Sequence, residues 1–349
     1  MIKILIVDDS ATMRKILRSG LSAVPDFLIV GEAVDSYDAR DKIIQLQPDV
    51  ITLDVEMPRL NGIELLKRLM IYYPLPVIMV SALTELGKKT TFEALEAGAF
   101  DFVTKPSTSG CTTAEMIAEL VEKIKMAVRV NLKELRTAAV SSGKVRVEKQ
   151  ISSFLQKDKS EINVIAIGSS TGGTNALREI ISQLPDNLPG IVIVQHITPG
   201  FTRLFAERLN ECGKIRVKEA ENGEIVSPGF AYVAASNSHT RLKSSGDSYL
   251  IECTPGDSIC GHKPSVEALF SSVAQVAGKR AIGIILTGMG GDGAGGLLAM
   301  RNSGSRTLGQ NESSCVVYGM PKVAWEKGGV EKQVSLEEIP AEIIKLLNC

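Results

Sequence analysis

The chain has 349 residues, 44% hydrophobic and 23% charged, which is the composition of an ordinary folded globular protein and too long for one typical domain. Lys plus Arg total 39 against 40 Asp plus Glu, and a net charge of -1 argues against a general polyanion binder. Only His196, His239 and His262 are available for imidazole chemistry, and the scattered cysteines (Cys111, Cys212, Cys253, Cys260, Cys315, Cys349) form no C-x-x-C pair, so reduced thiols are expected rather than a disulfide framework or structural zinc.

The opening run Ile2–Val7 is too short for a signal peptide and meets Asp8 and Asp9 at once, so a cytoplasmic location is expected. It is the first of five short apolar runs, followed by Phe27–Val30, Val50–Leu53, Val77–Val80 and Asp101–Thr104, that alternate with amphipathic stretches. That alternation predicts a five-stranded parallel sheet with helices on both faces, in an α/β domain over 1–136. The 3.6-residue spacing of Ile117, Leu120, Val121 and Ile124 predicts its closing helix. Residues 137–160 are rich in Ser, Lys and Glu and read as a linker. A second doubly wound α/β domain with a mostly parallel sheet is predicted over 161–349. Its strands are Ile162–Ile167, Ile191–Gln195, Phe230–Ala234, Ile282–Thr287 and Arg306–Leu308, and Arg241–Glu252 reads as a hairpin. Helices are expected near Thr174–Leu184, Phe201–Cys212, Ser265–Ala277, Gly293–Asn302 and Ile339–Leu347. The most apolar stretch, Ala281–Met300, contains seven glycines and Asp292, which argues against a membrane span.

Ligands of open parallel sheets sit beyond the carboxyl ends of the strands. In the first domain those ends carry Asp8, Asp9, Asp54, Ser81 and Lys105. Three carboxylates brought together repel one another unless a hard cation such as Mg²⁺ neutralises them. A lysine and a hydroxyl at the rim suit a phosphoryl group, which makes Asp54 a phosphoacceptor candidate. The plainer reading, in which Asp8-Asp9-Ser10 merely caps a helix, explains each residue singly but not the set. Val7-Asp8-Asp9-Ser10, Asp54-Val55-Glu56-Met57-Pro58, Ser81-Ala82 and Thr104-Lys105-Pro106 together resemble the receiver domain of two-component response regulators, with its flavodoxin-like fold. The resemblance implies phosphorylation at Asp54, Mg²⁺ held by Asp8, Asp9, Asp54 and the backbone of Glu56, phosphoryl binding by Ser81 and Lys105, and a switch aromatic at Phe102.

In the second domain Gly168-Ser169-Ser170-Thr171-Gly172 fits G-x-S-x-G, in which glycines allow a sharp strand-to-helix turn that presents the central serine. The phasing selects Ser170 as nucleophile and leaves Ser169 to shape the turn. A phosphate-binding turn is the alternative, but neither a P-loop nor G-x-G-x-x-G is present. His196 ends the strand Ile191–Gln195 and so shares a sheet edge with Ser170, whereas His239 and His262 fall in loops and read as structural or cleft-rim residues. Asp292 follows a third strand in Gly288-Met289-Gly290-Gly291-Asp292-Gly293, either to orient the imidazole or to cap the helix that comes next. The Met289 amide is placed to donate into an oxyanion hole.

The order Ser, His, Asp differs from that of the α/β-hydrolases. The segments 167–174, 195–202 and 286–293, with Lys263-Pro264-Ser265-Val266-Glu267, resemble the catalytic domain of CheB-type methylesterases, although an Arg is usual where Lys263 stands. The resemblance implies a phosphorylation-activated protein-glutamate methylesterase and glutamine deamidase of chemotaxis. Ser170, His196 and Asp292 would be its catalytic residues, and Thr171, Met289 and Lys263 would line the oxyanion hole or substrate cleft. It further implies chemoreceptors as substrates, a CheA-type histidine kinase as phosphodonor, no cofactor for ester hydrolysis, and a receiver that blocks the cleft until phosphorylated. The rival is a response regulator with a nucleotide- or nucleic-acid-binding output domain. Residues 161–349 hold 17 Lys plus Arg against 19 Asp plus Glu and no helix-turn-helix with a basic face, so neither nucleic-acid binding nor membrane insertion is expected.

Overall fold

Val50–Asp54 and Val77–Ser81 are buried along their whole length, as strands covered by helices on both faces must be. The computed structural model describes residues 1–57, 62–82, 84–106, 112–129 and 161–348, and the chain divides into two units, Met1–Arg146 and Val147–Cys349. The linker expected at 137–160, together with Pro58, Cys111 and Cys349, lies outside the described residues.

In the first unit β1 (Ile2–Val7), β2 (Phe27–Ala33), β3 (Val50–Asp54), β4 (Val77–Ser81) and β5 (Asp101–Thr104) pair in parallel in the order β2-β1-β3-β4-β5. Between and after them run α1 (Ala11–Ser22), α2 (Ser36–Leu46), α3 (Gly62–Tyr72), α4 (Glu85–Glu96) and α5 (Thr113–Ala127). Ser10 caps α1, its hydroxyl accepting from the Met13 N–H, as the capping of this helix requires. Asp8 instead turns its carboxylate back to the Ser10 N–H at 2.8 Å, at the end of the strand.

In the second unit β6 (Val164–Ser169), β7 (Gly190–Gln195), β8 (Arg216–Glu219), β9 (Phe230–Val233), β12 (Ala281–Ile285), β13 (Arg306–Gln310) and β14 (Lys332–Val334) form a seven-stranded parallel sheet ordered β14-β13-β12-β6-β7-β9-β8. The hairpin is real and separate: β10 (His239–Ser245) pairs antiparallel with β11 (Ser248–Thr254). The helices are α6 (Gly173–Gln183), α7 (Thr202–Cys212), α8 (Val266–Val276), α9 (Ala294–Asn302), α10 (Met320–Glu326) and α11 (Ile339–Leu347). Val164 and Ala166 of β6 and Val192 and Val194 of β7 share one buried cluster with Leu269, Phe270 and Val273 of α8 and Leu297 of α9. This period of two is what aims alternate strand residues at one helical layer.

Among the described residues, two strands and one α-helix escaped the sequence reading. The strands β8 (Arg-Val-Lys-Glu) and β14 (Lys-Gln-Val) are the two edges of the sheet, and edges carry charge where central strands carry apolar runs. α10 has only seven residues, with Pro321 in its first turn, too short to show a period. The strand expected at Ile162–Ile167 is shifted to Val164–Ser169, and that shift brings β6 to the edge of the Ser170 turn.

Candidate active site and acidic pocket

In the first sheet the strand order reverses between β1 and β3, and that crevice holds the acidic residues. Carboxylate oxygens of Asp8, Asp9 and Asp54 lie within 4.8 Å of one another, Asp8 and Asp54 buried and Asp9 exposed. Lys105, just past β5, reaches in with its ammonium 2.8 Å from Asp54 and 3.0 Å from Asp8. The Asp54 carboxyl is pushed up to about 6, chiefly by burial and further by the charge of Asp8, with Lys105 and the Glu56 N–H working against the rise. Burial works against the Lys105 ammonium, yet the two carboxylates more than offset it and raise its pKa. The Glu56 N–H donates to Asp54 at 3.3 Å, which sets that stretch of backbone against the pocket. Ser81 ends β4, buried, with its hydroxyl 2.7 Å from that of Thr91 on α4. Phe102 is buried in β5, with the Lys123 ammonium 5.4 Å from its ring centre.

The second sheet reverses order between β12 and β6, and Ser170, His196 and Asp292 follow the three adjacent strands β6, β7 and β12. Ser169 pairs with Gln195 across β6 and β7, and the His196 N–H donates to the Ser169 carbonyl at 3.0 Å, so the register sets His196 beside Ser170. On the other side the Ser170 N–H donates to the Thr287 carbonyl at 3.0 Å. Gly172 closes the turn at φ +80°, a conformation that favours glycine. His196 Nε2 lies 2.8 Å from Asp292 Oδ2, while its Nδ1 is buried and has no hydrogen-bond partner.

Asp292 does not cap the helix that follows it, whose N-cap Gly293 makes no side-chain bond. It caps α8 instead, accepting from the Val266 N–H at 2.7 Å, the Glu267 N–H at 3.0 Å and the Ser265 hydroxyl at 2.8 Å. Burial alone would raise its pKa, but His196, Ser265 and the Glu267 amide outweigh burial and hold the carboxyl below its ordinary value. A carboxylate fixed at a helix N-terminus and bonded to an imidazole is built to orient that ring and to stabilise a positive charge on it.

Residues 165–343 match the family model described as CheB methylesterase, and residues 4–118 match the response regulator receiver domain. A protein of Syntrophotalea carbinolica named protein-glutamate methylesterase/protein-glutamine glutaminase is 48% identical, covering 99% of this chain and 98% of its own. One from Syntrophomonas wolfei, with the same name and the number 2, is 50% identical over the same shares. The chain belongs to the CheB methylesterase family. The crystal structure of the Thermotoga maritima CheB methylesterase catalytic domain is 38% identical, with a TM-score of 0.52, and covers 53% of this chain and 98% of that one. A nucleic-acid- or nucleotide-binding output domain is not supported. No helix among the described residues is long and apolar enough to cross a membrane.

Around this CheB-type centre lie contacts that no local sequence pattern announces, among them one to His262, a structural or cleft-rim residue on its sequence alone. Gln195 is buried and donates through Nε2 to the carbonyls of both Ser170 and His196, 2.8 Å each, while its Oε1 accepts the Ser169 hydroxyl at 2.6 Å. The Thr287 hydroxyl donates to the Thr171 carbonyl at 3.0 Å. Gly288 lies so close to the Ser170 turn that a Cβ there would stand 2.7 Å from that of Ser170. His262 stacks face to face on His196, ring centres 3.8 Å apart and planes 12° from parallel. Gln195 was legible as the partner of His196 in sequence; the His262 stack had no local signal.

The remaining expectations fall out unevenly. Met289 is exposed beside this turn, Thr171 is buried in it, and the Lys263 ammonium donates to the Gly256 carbonyl at 3.1 Å from the loop before α8. His239 is buried in β10 with Nε2 on the Asp257 carbonyl at 2.8 Å, a structural placement. Cys212, Cys253, Cys260 and Cys315 form no disulfide.

Proposed function

We propose that this CheB-family enzyme hydrolyses glutamyl methyl esters on chemoreceptor proteins and deamidates receptor glutamines through Ser170, His196 and Asp292, under control of phosphorylation at Asp54. The observation that carries the reading is the polarity of His196. Its Nε2 is committed to Asp292, which leaves Nδ1 as the base at the edge where Ser170 turns.

Ser170 Oγ attacks the ester carbonyl as Nδ1 takes its proton, and Asp292 stabilises the imidazolium that forms. The Met289 N–H, with the turn at Thr171, meets the oxyanion of the tetrahedral intermediate, and Lys263 lies on the rim where the receptor segment enters. The intermediate collapses when the imidazolium protonates the leaving methoxide and methanol departs. Water, activated by the same nitrogen, then releases the acyl-enzyme as glutamate and frees Ser170. A glutamine side chain follows the same path with ammonia leaving. Every proton in this sequence is carried by His196, so the hydrolysis as drawn calls on no cofactor.

The residues of the acidic pocket fit a hard divalent cation. Three converging carboxylates, one pushed up to about 6, form an oxygen donor set that such an ion relieves. Asp8, Asp9, Asp54 and the Glu56 backbone would hold Mg²⁺, which when bound neutralises charge on the transferring phosphoryl group. Asp54 is the acceptor, Ser81 and Lys105 bind the phosphoryl oxygens, and Phe102 is the aromatic that reports the change. The phosphodonor is a CheA-type histidine kinase, and the enzyme works in the cytoplasm. We place the receiver at 1–136, the linker at 137–160 and the catalytic domain at 161–349.

The test is Ser170→Ala. Methanol release from a methylated receptor is expected to fall by about 10⁶-fold, the loss seen when a triad acts as a unit. Near wild-type turnover would overturn the assignment.

A further inference from the structure

The hydrogen bond to Asp292 does not by itself aim His196. A histidine ring turns softly about its Cβ–Cγ bond. Nε2 lies at the far end of the ring, nearer that axis than Nδ1 does, so a given rotation displaces it less. Nδ1 lies well off the axis and sweeps sideways. The 2.8 Å bond between Nε2 and Asp292 therefore leaves room for a rotation that displaces Nδ1, the ring nitrogen with no hydrogen-bond partner. The backbone of His196 is held by the Ser169 carbonyl and by Gln195, but neither bond touches the ring.

Among the described residues, His262 is set parallel to the ring plane. His262 lies 3.8 Å away at 12°, and any rotation of His196 about Cβ–Cγ drives its edge into that face. His262 is itself tied down: its backbone N–H and C=O both bond with Ile259, 3.0 Å each way, closing a tight loop. The same loop continues into Ser265, which holds Asp292. One segment thus braces both partners of the nucleophile.

We infer that His262 is a positioning residue for the hydrolysis: its stacked ring fixes the plane of His196 and keeps Nδ1 aimed at Ser170. The inference rests on the Ser170–His196–Asp292 reading. It has a chemical requirement, because His196 becomes positive during the reaction and a positive ring stacked on it would oppose that step. The titratable groups acting on His262 are His196 and Asp292; burial first, then His196, lower its pKa to about 4, against the pull of Asp292, so it stays neutral while the enzyme works.

The experiment compares His262→Ala and His262→Phe in the full-length chain, with Ser170→Ala alongside. His262→Ala is expected to lower kcat by about 10- to 100-fold, the scale of a misaimed catalytic group, with KM little changed. The acidic limb of its kcat/KM profile should move to higher pH, because water replacing the ring favours the charged imidazole. His262→Phe keeps a flat, neutral face and is expected to restore most of kcat and return the limb. Equal losses in both variants, or an unmoved rate and limb in His262→Ala, would overturn the inference. The wild type offers a check that needs no variant to fold: with three histidines in the chain, the ring C–H signals are few. The His262 signal should lie upfield from stacking and stay neutral down to about pH 5. A freely titrating, unshifted signal would also overturn it. If Ser170→Ala retains activity, the serine-esterase reading fails instead, and the two failures are told apart.

Discussion

Gln195 shows how a single side chain sets the spacing of Ser170 and His196, the proposed nucleophile and base. Its amide bonds the carbonyls of Ser170 and His196 at once, and its oxygen takes the Ser169 hydroxyl, so two strand ends are stapled by one buried group. Replacing it with a leucine of similar size leaves those partners buried without it, and each unpaired polar group costs about 1–3 kcal/mol. Gln195→Leu is expected to lower the melting temperature and to lower kcat by more than its effect on KM. A variant with unchanged melting and unchanged kcat would show that the staple is idle. This residue was visible in the sequence beside His196, yet a glutamine at a strand end announces nothing by type. Only the register of β6 on β7 turns it inward.

Individual elements were legible where a central, covered strand writes a continuous apolar run. The bounds of β1 and β5 agree with the sequence reading, and the ends of the strands delivered Asp8, Asp9, Asp54, Ser170, His196 and Asp292 to two edges. What was not legible is the partner across the fold. Asp292 is adjacent in sequence to α9 yet caps α8, because the cap is decided by tertiary packing and not by neighbourhood. Ser265 serves twice there: it is the N-cap of α8, accepting from the Ala268 N–H, and its hydroxyl donates to Asp292. Ser265→Ala removes the cap, at about 0.5–2 kcal/mol. It also removes one of the groups that depress the Asp292 pKa. A carboxyl whose folded pKa lies below its unfolded value of 3.8 contributes stability that is full above that value and is lost as pH falls through the folded pKa. With the Ser265 hydroxyl gone, the folded pKa rises and the acid loss starts at higher pH. Urea unfolding of the Val147–Cys349 unit can be followed by Trp325, the sole tryptophan. It should show a lower midpoint at neutral pH and an earlier decline on acidification. A midpoint equal to wild type at every pH would mean that Ser265 holds neither the helix nor the carboxylate.

Across the whole molecule, two parallel sheets each place their chemistry where strand order reverses, one between β1 and β3, the other between β12 and β6. The first gathers carboxylates around a lysine; the second gathers a serine, an imidazole and a carboxylate. Phosphorylation in one unit changes the rate in the other only if the phosphorylated receiver differs in its free energy of interaction with states of the catalytic unit. The acidic pocket has the means to begin such a change. Lys105 is paired with Asp54 and Asp8, and a phosphoryl group on Asp54 gives its ammonium a new, more highly charged partner. Asp54→Asn removes the carboxylate proposed as acceptor and leaves the Ser170 edge untouched. With a small-molecule phosphodonor and Mg²⁺, wild-type receptor demethylation is expected to rise by about 5- to 150-fold, the usual span of a coupling between sites. Asp54→Asn should stay at the unstimulated wild-type rate with or without the donor. Activation that survives in Asp54→Asn would move the control away from this carboxylate, and a basal rate that collapses with it would mean that the pocket supports the second unit by some route other than phosphorylation.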